Sequence, residues 1–208
     1  MEAQLYKKDG KSASKKVKLD AGIFGVEPNE HAVYMDVKAF LAAKRQGTHK
    51  AKERSEITGS RKKIKKQKGT GTARAGDIKN PLFVGGGRVF GPEPRDYTVK
   101  LNKKLKRLAR KSALSLKAKA NRISIIEEVS MSAPKTKDFM GILNNMGLEG
   151  KKTTLVLDTL DNNVILSVRN VPGSKTLNAA DLNTYEIMNA DNLVLTQKSL
   201  DKIKEILS

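Results

Sequence analysis

The spacing of hydrophobic positions along this chain changes several times, and each change marks an expected element. The first 26 residues read as extended, with Val17 and Leu19 alternating with Lys16, Lys18 and Asp20 before Gly22 and Gly25 break the run. A helix is predicted from Asn29, whose side chain suits a helix cap, with Glu30 at the positive end of its dipole. Val33, Val37, Phe40 and Leu41 then recur at helical spacing, and Gly47 is the expected stop. A second helix is predicted from Leu101 to Ala120. Leu101, Leu105, Leu108, Ala109 and Leu116 would share its apolar face, with Lys103, Lys104, Arg107, Arg110 and Lys111 turned away. Beyond residue 123 short apolar runs alternate with amphipathic pieces. Strands are expected at 123–126, 153–157, 176–177 and 192–195, and helices at 134–146, 162–170, 182–188 and 199–207. The runs at 153–157 and 192–195 are apolar enough to be buried on both faces. Such strands separated by helices predict an α/β fold, a layered and mostly parallel sheet with flanking helices.

Between the first two helices the periodicity disappears. Residues 44–95 hold nine of the sixteen glycines and 15 Lys and Arg against four acids, Glu53, Glu56, Asp77 and Glu93. Their few apolar anchors are Leu82, Phe83, Val84, Val89 and Phe90. Compact domains rarely carry loops beyond about 12–15 residues without a functional reason. The expected organisation is therefore a globular α/β domain from 1–43 and 96–208, interrupted by a long extended basic loop at 44–95. Residues 44–58 are charged enough to continue the first helix. The arm, about 25 residues out and 25 back at up to ~3.3 Å each, could reach roughly 80 Å.

Charge sharpens this division. The chain of 208 residues carries a net charge of +19. Residues 44–95 contribute +11 and residues 96–122 contribute +9, whereas 1–43 sum to +1 and 123–208 to −2. Uniform basicity would speak only of solubility, but a concentrated block is the electrostatic footprint of a polyanion partner. Lysine and arginine neutralise phosphates and release counterions. The cationic candidates are Lys44, Arg45, Lys50, Arg54, Arg61, Lys62, Lys63, Lys65, Arg74 and Arg88 in the loop, with Lys103, Lys104 and Arg107 on the second helix. Phe83 and Phe90 are candidates to stack on bases or fill gaps between RNA elements. Gly85, Gly86 and Gly87 read as a flexible joint sooner than as a phosphate cradle.

Other chemistry is thin. The chain has no cysteine, no apolar run near the ~18 residues of a membrane span, and no secretory signal at its start. It reads as soluble and intracellular, with no membrane partner. Neither His31 nor His49 has a carboxylate or nucleophile in catalytic spacing. Gly69-Thr70-Gly71 opens like a dinucleotide fingerprint, but Arg74 stands where a glycine is needed and no strand precedes it. Asp158 and Asp161 follow a strand end and read as turn chemistry. No enzyme activity, cofactor or metal is expected. A free-standing nucleic-acid clamp is the runner-up reading, and an α/β enzyme with a mobile lid the third.

Several short motifs narrow the choice. They are Ala43-Lys44-Arg45-Gln46-Gly47-Thr48, Glu56-Ile57-Thr58-Gly59-Ser60, Gln67-Lys68-Gly69-Thr70-Gly71, Ala73-Arg74-Ala75-Gly76, Pro81 followed by Gly85-Gly86-Gly87, Asn102-Lys103-Lys104, and Ala133-Pro134-Lys135-Thr136-Lys137. In this order, over essentially the whole chain, they resemble the large-subunit ribosomal protein L four family. The chain departs from the family's usual pattern at Ile64-Lys65-Lys66, at Thr72 and at Phe83-Val84, where Pro-Trp-Arg, Arg and Trp-Arg are common. The resemblance implies a cytoplasmic, ribosome-bound structural protein that contacts large-subunit rRNA and neighbouring large-subunit proteins and acts early in subunit assembly. It also implies a loop threaded through the rRNA to the polypeptide exit tunnel. Lys66, Lys68, Gly69, Thr70 and Gly71 would then lie at the tip, beside the nascent polypeptide.

Overall fold

Asn192–Thr196 (β6) lies near the middle of a six-stranded sheet of order β2-β1-β3-β6-β4-β5. The computed structural model describes residues 1–207. Within them β1 is Glu2–Tyr6, β2 Ser12–Lys18, β3 Ile123–Ile126, β4 Thr153–Leu157 and β5 Ser174–Asn178. Every neighbouring pair is parallel except β1 with β2, which are antiparallel. Parallel strands need crossover connections, and helices supply them: α4 (Thr136–Asn145) follows β3, α5 (Asn162–Arg169) follows β4 and α6 (Thr184–Asn189) follows β5, while α7 (Gln197–Leu207) closes the chain after β6. The expected α/β class with a mostly parallel sheet is observed.

Alternation along the strands builds two cores. Ile123, Ile125, Val156, Leu193 and Leu195 point to one side, where Phe24, Val33, Leu114, Ile187 and Ile203 meet them. Ile126, Leu155, Leu157 and Val194 point to the other, against Phe139, Leu143, Val164 and Val168 of α4 and α5. All five residues of β4 are buried, as its continuous apolar run requires. The edge strand β2 is mostly exposed and carries Lys15, Lys16 and Lys18, charges that discourage pairing with another chain.

The elements before the sheet centre differ in detail from the sequence reading. Asp20, whose carboxylate accepts from Gly22 N at 2.8 Å, caps a short helix, α1 (Ala21–Phe24), inside the stretch expected to be extended. Asn29 caps α2 (Glu30–Ala43), accepting from Ala32 N at 2.9 Å. α2 stops at Ala43, so residues 44–58 do not continue it. Backbone groups of Gly47, Ala51 and Lys52 instead bond sideways to the returning chain, which a helix would forbid. Asp161 caps α5, accepting from Asn163 N at 3.1 Å, so its turn reading holds.

α3 (Lys103–Lys119) corrects the expected apolar stripe. Its buried face is Ala109, Ser112, Ala113, Leu114, Ser115 and Lys117, while Leu101, Leu105, Leu108 and Leu116 are only half-buried. Small side chains let the helix approach α1 closely, where Ser115 Oγ donates to Ile23 O at 3.3 Å. Ser112 Oγ accepts from Asn29 N at 3.1 Å. Arg110 and Lys111, expected on the outer face, are half-buried.

Lys117 is 7% exposed and donates from Nζ to Ala190 O at 2.5 Å. Burial, and then the charge of Arg122, push its pKa below the ordinary lysine value, with Asp191 pulling the other way. The unfolded chain therefore binds this proton more tightly than the folded one. Stability contributed by the site rises with pH through the alkaline window that ends at the ordinary lysine pKa of about 10.4. Urea midpoints measured from about pH 8 to 10 are expected to show this rise, and Lys117→Met should flatten it.

Ala42–Val99 forms the second compact unit of the chain, separate from Met1–Leu41 with the chain from Lys100 on. It holds no regular helix beyond the last turn of α2 and no strand among the described residues, only turns, bends and irregular backbone.

Candidate nucleic-acid interface

Within Ala42–Val99 the outgoing and returning halves are joined by single backbone rungs. Arg95 N donates to Gly47 O at 3.1 Å, Ala51 N to Pro92 O at 3.1 Å, Arg88 N to Lys52 O at 3.0 Å and Ile64 N to Gly76 O at 2.9 Å. At Gly47, φ is +68, and a Cβ would sit 2.1 Å from Arg95 O, so the first rung needs a glycine. Between the rungs, Asn80 N donates to Asp77 O, Phe83 N to Asn80 O and Gly87 N to Lys79 O, folding 77–87 into consecutive turns.

Gly85, Gly86 and Gly87 do not act as a plain flexible joint. A Cβ on Gly87 would lie 2.3 Å from Arg54 N, so the two halves cross here backbone against backbone. Gly87→Ala should push them apart. Amide exchange at Gly87 and Arg88 is expected to speed by about tenfold or more with the global melting midpoint unchanged, since local opening and global unfolding draw on different contacts.

Side chains brace the same crossing. Arg54 Nη2 reaches the buried Asp77 Oδ2 at 2.9 Å. Asp77 Oδ1 and the neighbouring Lys79 are buried as well, and Glu53, Arg54, Ser55, Arg61, Asp77 and Lys79 line a cleft of about 460 Å³. Lys50 pairs with Glu56, whose hydrogen bond and charge hold the ammonium above its ordinary pKa. Glu56 is held low by the same Lys50 hydrogen bond and then by the one it accepts from Glu53 N at 3.2 Å.

Near the rung at Gly47, Tyr97 gathers charge. The Arg45 guanidinium lies 3.9 Å and that of Arg95 4.7 Å from its ring centre, both in the cation–π range. Tyr97 OH lies 3.3 Å from His49 Nε2. Sequence reasoning missed Tyr97, Arg95, Asp77 and Lys79. A lone acid among cations, as Asp77 is, was the available signal for an internal ion pair; Tyr97 offered none.

The remaining cations face outward. Arg61, Lys62, Lys63, Lys65, Lys66, Lys68, Arg74 and Arg88 are exposed, and so are Lys44 and Arg45. Lys65 Nζ donates to Thr72 Oγ1 at 3.0 Å and Lys63 to Gln67. Gly69, Thr70 and Gly71 are exposed, and Gly69 and Gly71 take positive φ with open space around them. In the other unit Lys103, Lys104 and Arg107 are exposed along the first two turns of α3. Lys50 and Arg54 thus have acidic partners of their own, whereas the run from Arg61 to Arg74 contains no acid at all.

Among the described residues no three His, Cys, Asp or Glu side chains converge as metal ligands, and no helix is long and apolar enough to cross a membrane. His31 is exposed on α2, and the Gly69-Thr70-Gly71 turn follows no strand. Within Ala42–Val99 the run from Arg61 to Arg74 is exposed, cationic and free of acids.

Residues 17–206 match the family described as "Ribosomal protein L4/L1 family". The chain belongs to this family. Large ribosomal subunit protein uL4 of Flavobacterium johnsoniae is 56% identical over 208 residues, covering 100% of both chains. The proteins of the same name from Phocaeicola vulgatus and Amoebophilus asiaticus are 54% identical over 208 residues and 52% over 205; the latter match covers 99% of this chain and 98% of that one. As a member of the ribosomal protein L4/L1 family the chain is a structural, non-enzymatic ribosomal protein. The exposed cations described above are therefore candidates for rRNA contact.

Proposed function

We propose that Ala42–Val99 is the rRNA-binding arm of a large-subunit ribosomal protein, with Lys66, Lys68, Gly69, Thr70 and Gly71 at its tip. The chain is a structural constituent of the large ribosomal subunit, bound to its rRNA in the cytoplasm and active in subunit assembly. The observation that carries the arm reading is the stretch 61–74, exposed at every residue, with seven cations and no acid. Such a run gains nothing from the protein's own core, and phosphates can neutralise it.

The arm binds by charge and shape. Lys44, Arg45, Arg61, Lys62, Lys63, Lys65, Arg74 and Arg88 meet phosphates, and Lys103, Lys104 and Arg107 do so from α3. Lys50 and Arg54 chiefly brace the arm. At the tip the small residues Gly69, Thr70 and Gly71 are slender enough to line the polypeptide exit tunnel and meet the nascent chain. Two experiments test this. The protein is expected to co-sediment with large subunits through moderate salt; recovery only in the free fraction or on DNA would refute it. Lys68→Glu is expected to change sensitivity to macrolides, which bind in that tunnel, more than it changes the yield of large subunits. A yield defect with unchanged sensitivity would move the tip elsewhere.

A further inference from the structure

Among the described residues only Phe90 and Asn121 are non-glycines with positive φ, and Phe90 (φ 53) has its ring fully in solvent at 103% exposure. The backbone explains how it gets there. Arg88 N bonds Lys52 O and Ala51 N bonds Pro92 O. Ala51 and Lys52 are adjacent, but Arg88 and Pro92 are four residues apart. Val89, Phe90 and Gly91 therefore bulge out of the ladder, and a bulge of this kind re-aims a side chain. An aromatic residue in the left-handed region is unfavourable, and such conformations persist where the surroundings impose them. Phe83 contrasts with it. Its N–H and C=O both bond within the 80–86 turns, and its ring is only 39% exposed.

We infer that Phe90 is a stacking platform for an unpaired base of the RNA bound by this segment; the inference rests on the RNA-binding reading above. The charge around it selects the occupant. Exposed Arg88 lies two residues away, and residues 44–95 carry 15 cations against four acids, a setting for phosphates flanking a base rather than for an apolar protein pocket. A flat ring stacks on any base, while a paired A-form helix offers it no free base face.

The test uses the full-length chain, a transcript of the large-subunit rRNA and a fully paired RNA duplex. Phe90→Gly keeps the bulge, because glycine accepts positive φ without steric cost, and removes only the ring. It is expected to weaken binding to the transcript by about tenfold, with the duplex affinity and the salt dependence unchanged. Phe90→Trp should restore transcript affinity to within about twofold, and Phe90→Leu should not. Wild-type affinity in Phe90→Gly, or full affinity in Phe90→Leu, would overturn the stacking role. A wild-type chain that fails to bind the transcript would instead remove the RNA reading, and this inference with it.

Discussion

Phe24→Ala is expected to cost the fold about 3–5 kcal/mol, read as a lower denaturant midpoint at unchanged slope. Phe24 is 0% exposed and, with Ile23, is one of the two buried side chains of the four-residue helix α1. It packs in the core shared by Leu114 of α3 and Leu193 and Leu195 of β6. Removing its ring leaves a cavity between the sheet and the helices, and a segment this short cannot shift to fill it. A domain of this size is stable by only about 5–15 kcal/mol, so the loss is a large fraction of the whole. The same core holds α3, which carries Lys103, Lys104 and Arg107, so RNA affinity should fall together with stability. A shift below about 1 kcal/mol would mean that α1 packs elsewhere in solution.

Replacing residues 65–75 by two glycines should have the opposite profile, with stability kept and RNA binding impaired. The rung between Ile64 N and Gly76 O already brings the flanking residues together, and two glycines close such a hairpin. No residue from 65 to 75 is buried, so the melting midpoint should move by less than about 2 °C. The change removes Lys65, Lys66, Lys68 and Arg74. At roughly 0.7–0.9 in the log–log salt slope per phosphate contact, the slope for rRNA binding should become shallower by about three. An unchanged slope would place the phosphate contacts outside this stretch. Loss of a cooperative thermal transition would show that the arm supports the core.

The contrast between these two variants follows what each part of the sequence could reveal. β4 and β6 were legible because a strand buried on both faces carries consecutive apolar residues, and Leu155, Val156, Leu157 and Leu193, Val194, Leu195 supply them. α2 and α5 were legible because Asn29 and Asp161 are cap residues and do cap them. α1 was missed because Gly22 and Gly25 looked like breakers, while the capping bond from Gly22 N to Asp20 is local and leaves little pattern in four residues. The face of α3 was misjudged for a different reason. Periodicity marks the large apolar side chains, and this helix buries Ala109, Ser112 and Ala113 where it approaches α1. In the candidate interface, the acid-free run of cations was visible in composition. The pairing of Arg54 with Asp77, the rings and guanidiniums around Tyr97, and the outward turn of Phe90 were not.

The sequence by itself determined the α/β class, the places of the four strands after residue 123 and the place where positive charge accumulates. Each depends on local periodicity or on totals, which need no knowledge of what touches what. Only the tertiary structure decided which cations are spent on internal partners and which stay exposed, why Gly87 has to be a glycine, and which phenylalanine faces solvent. Those outcomes depend on residues 20 to 50 positions apart meeting across the arm, as Gly47 meets Arg95 and Arg54 meets Asp77, and no local pattern records that meeting.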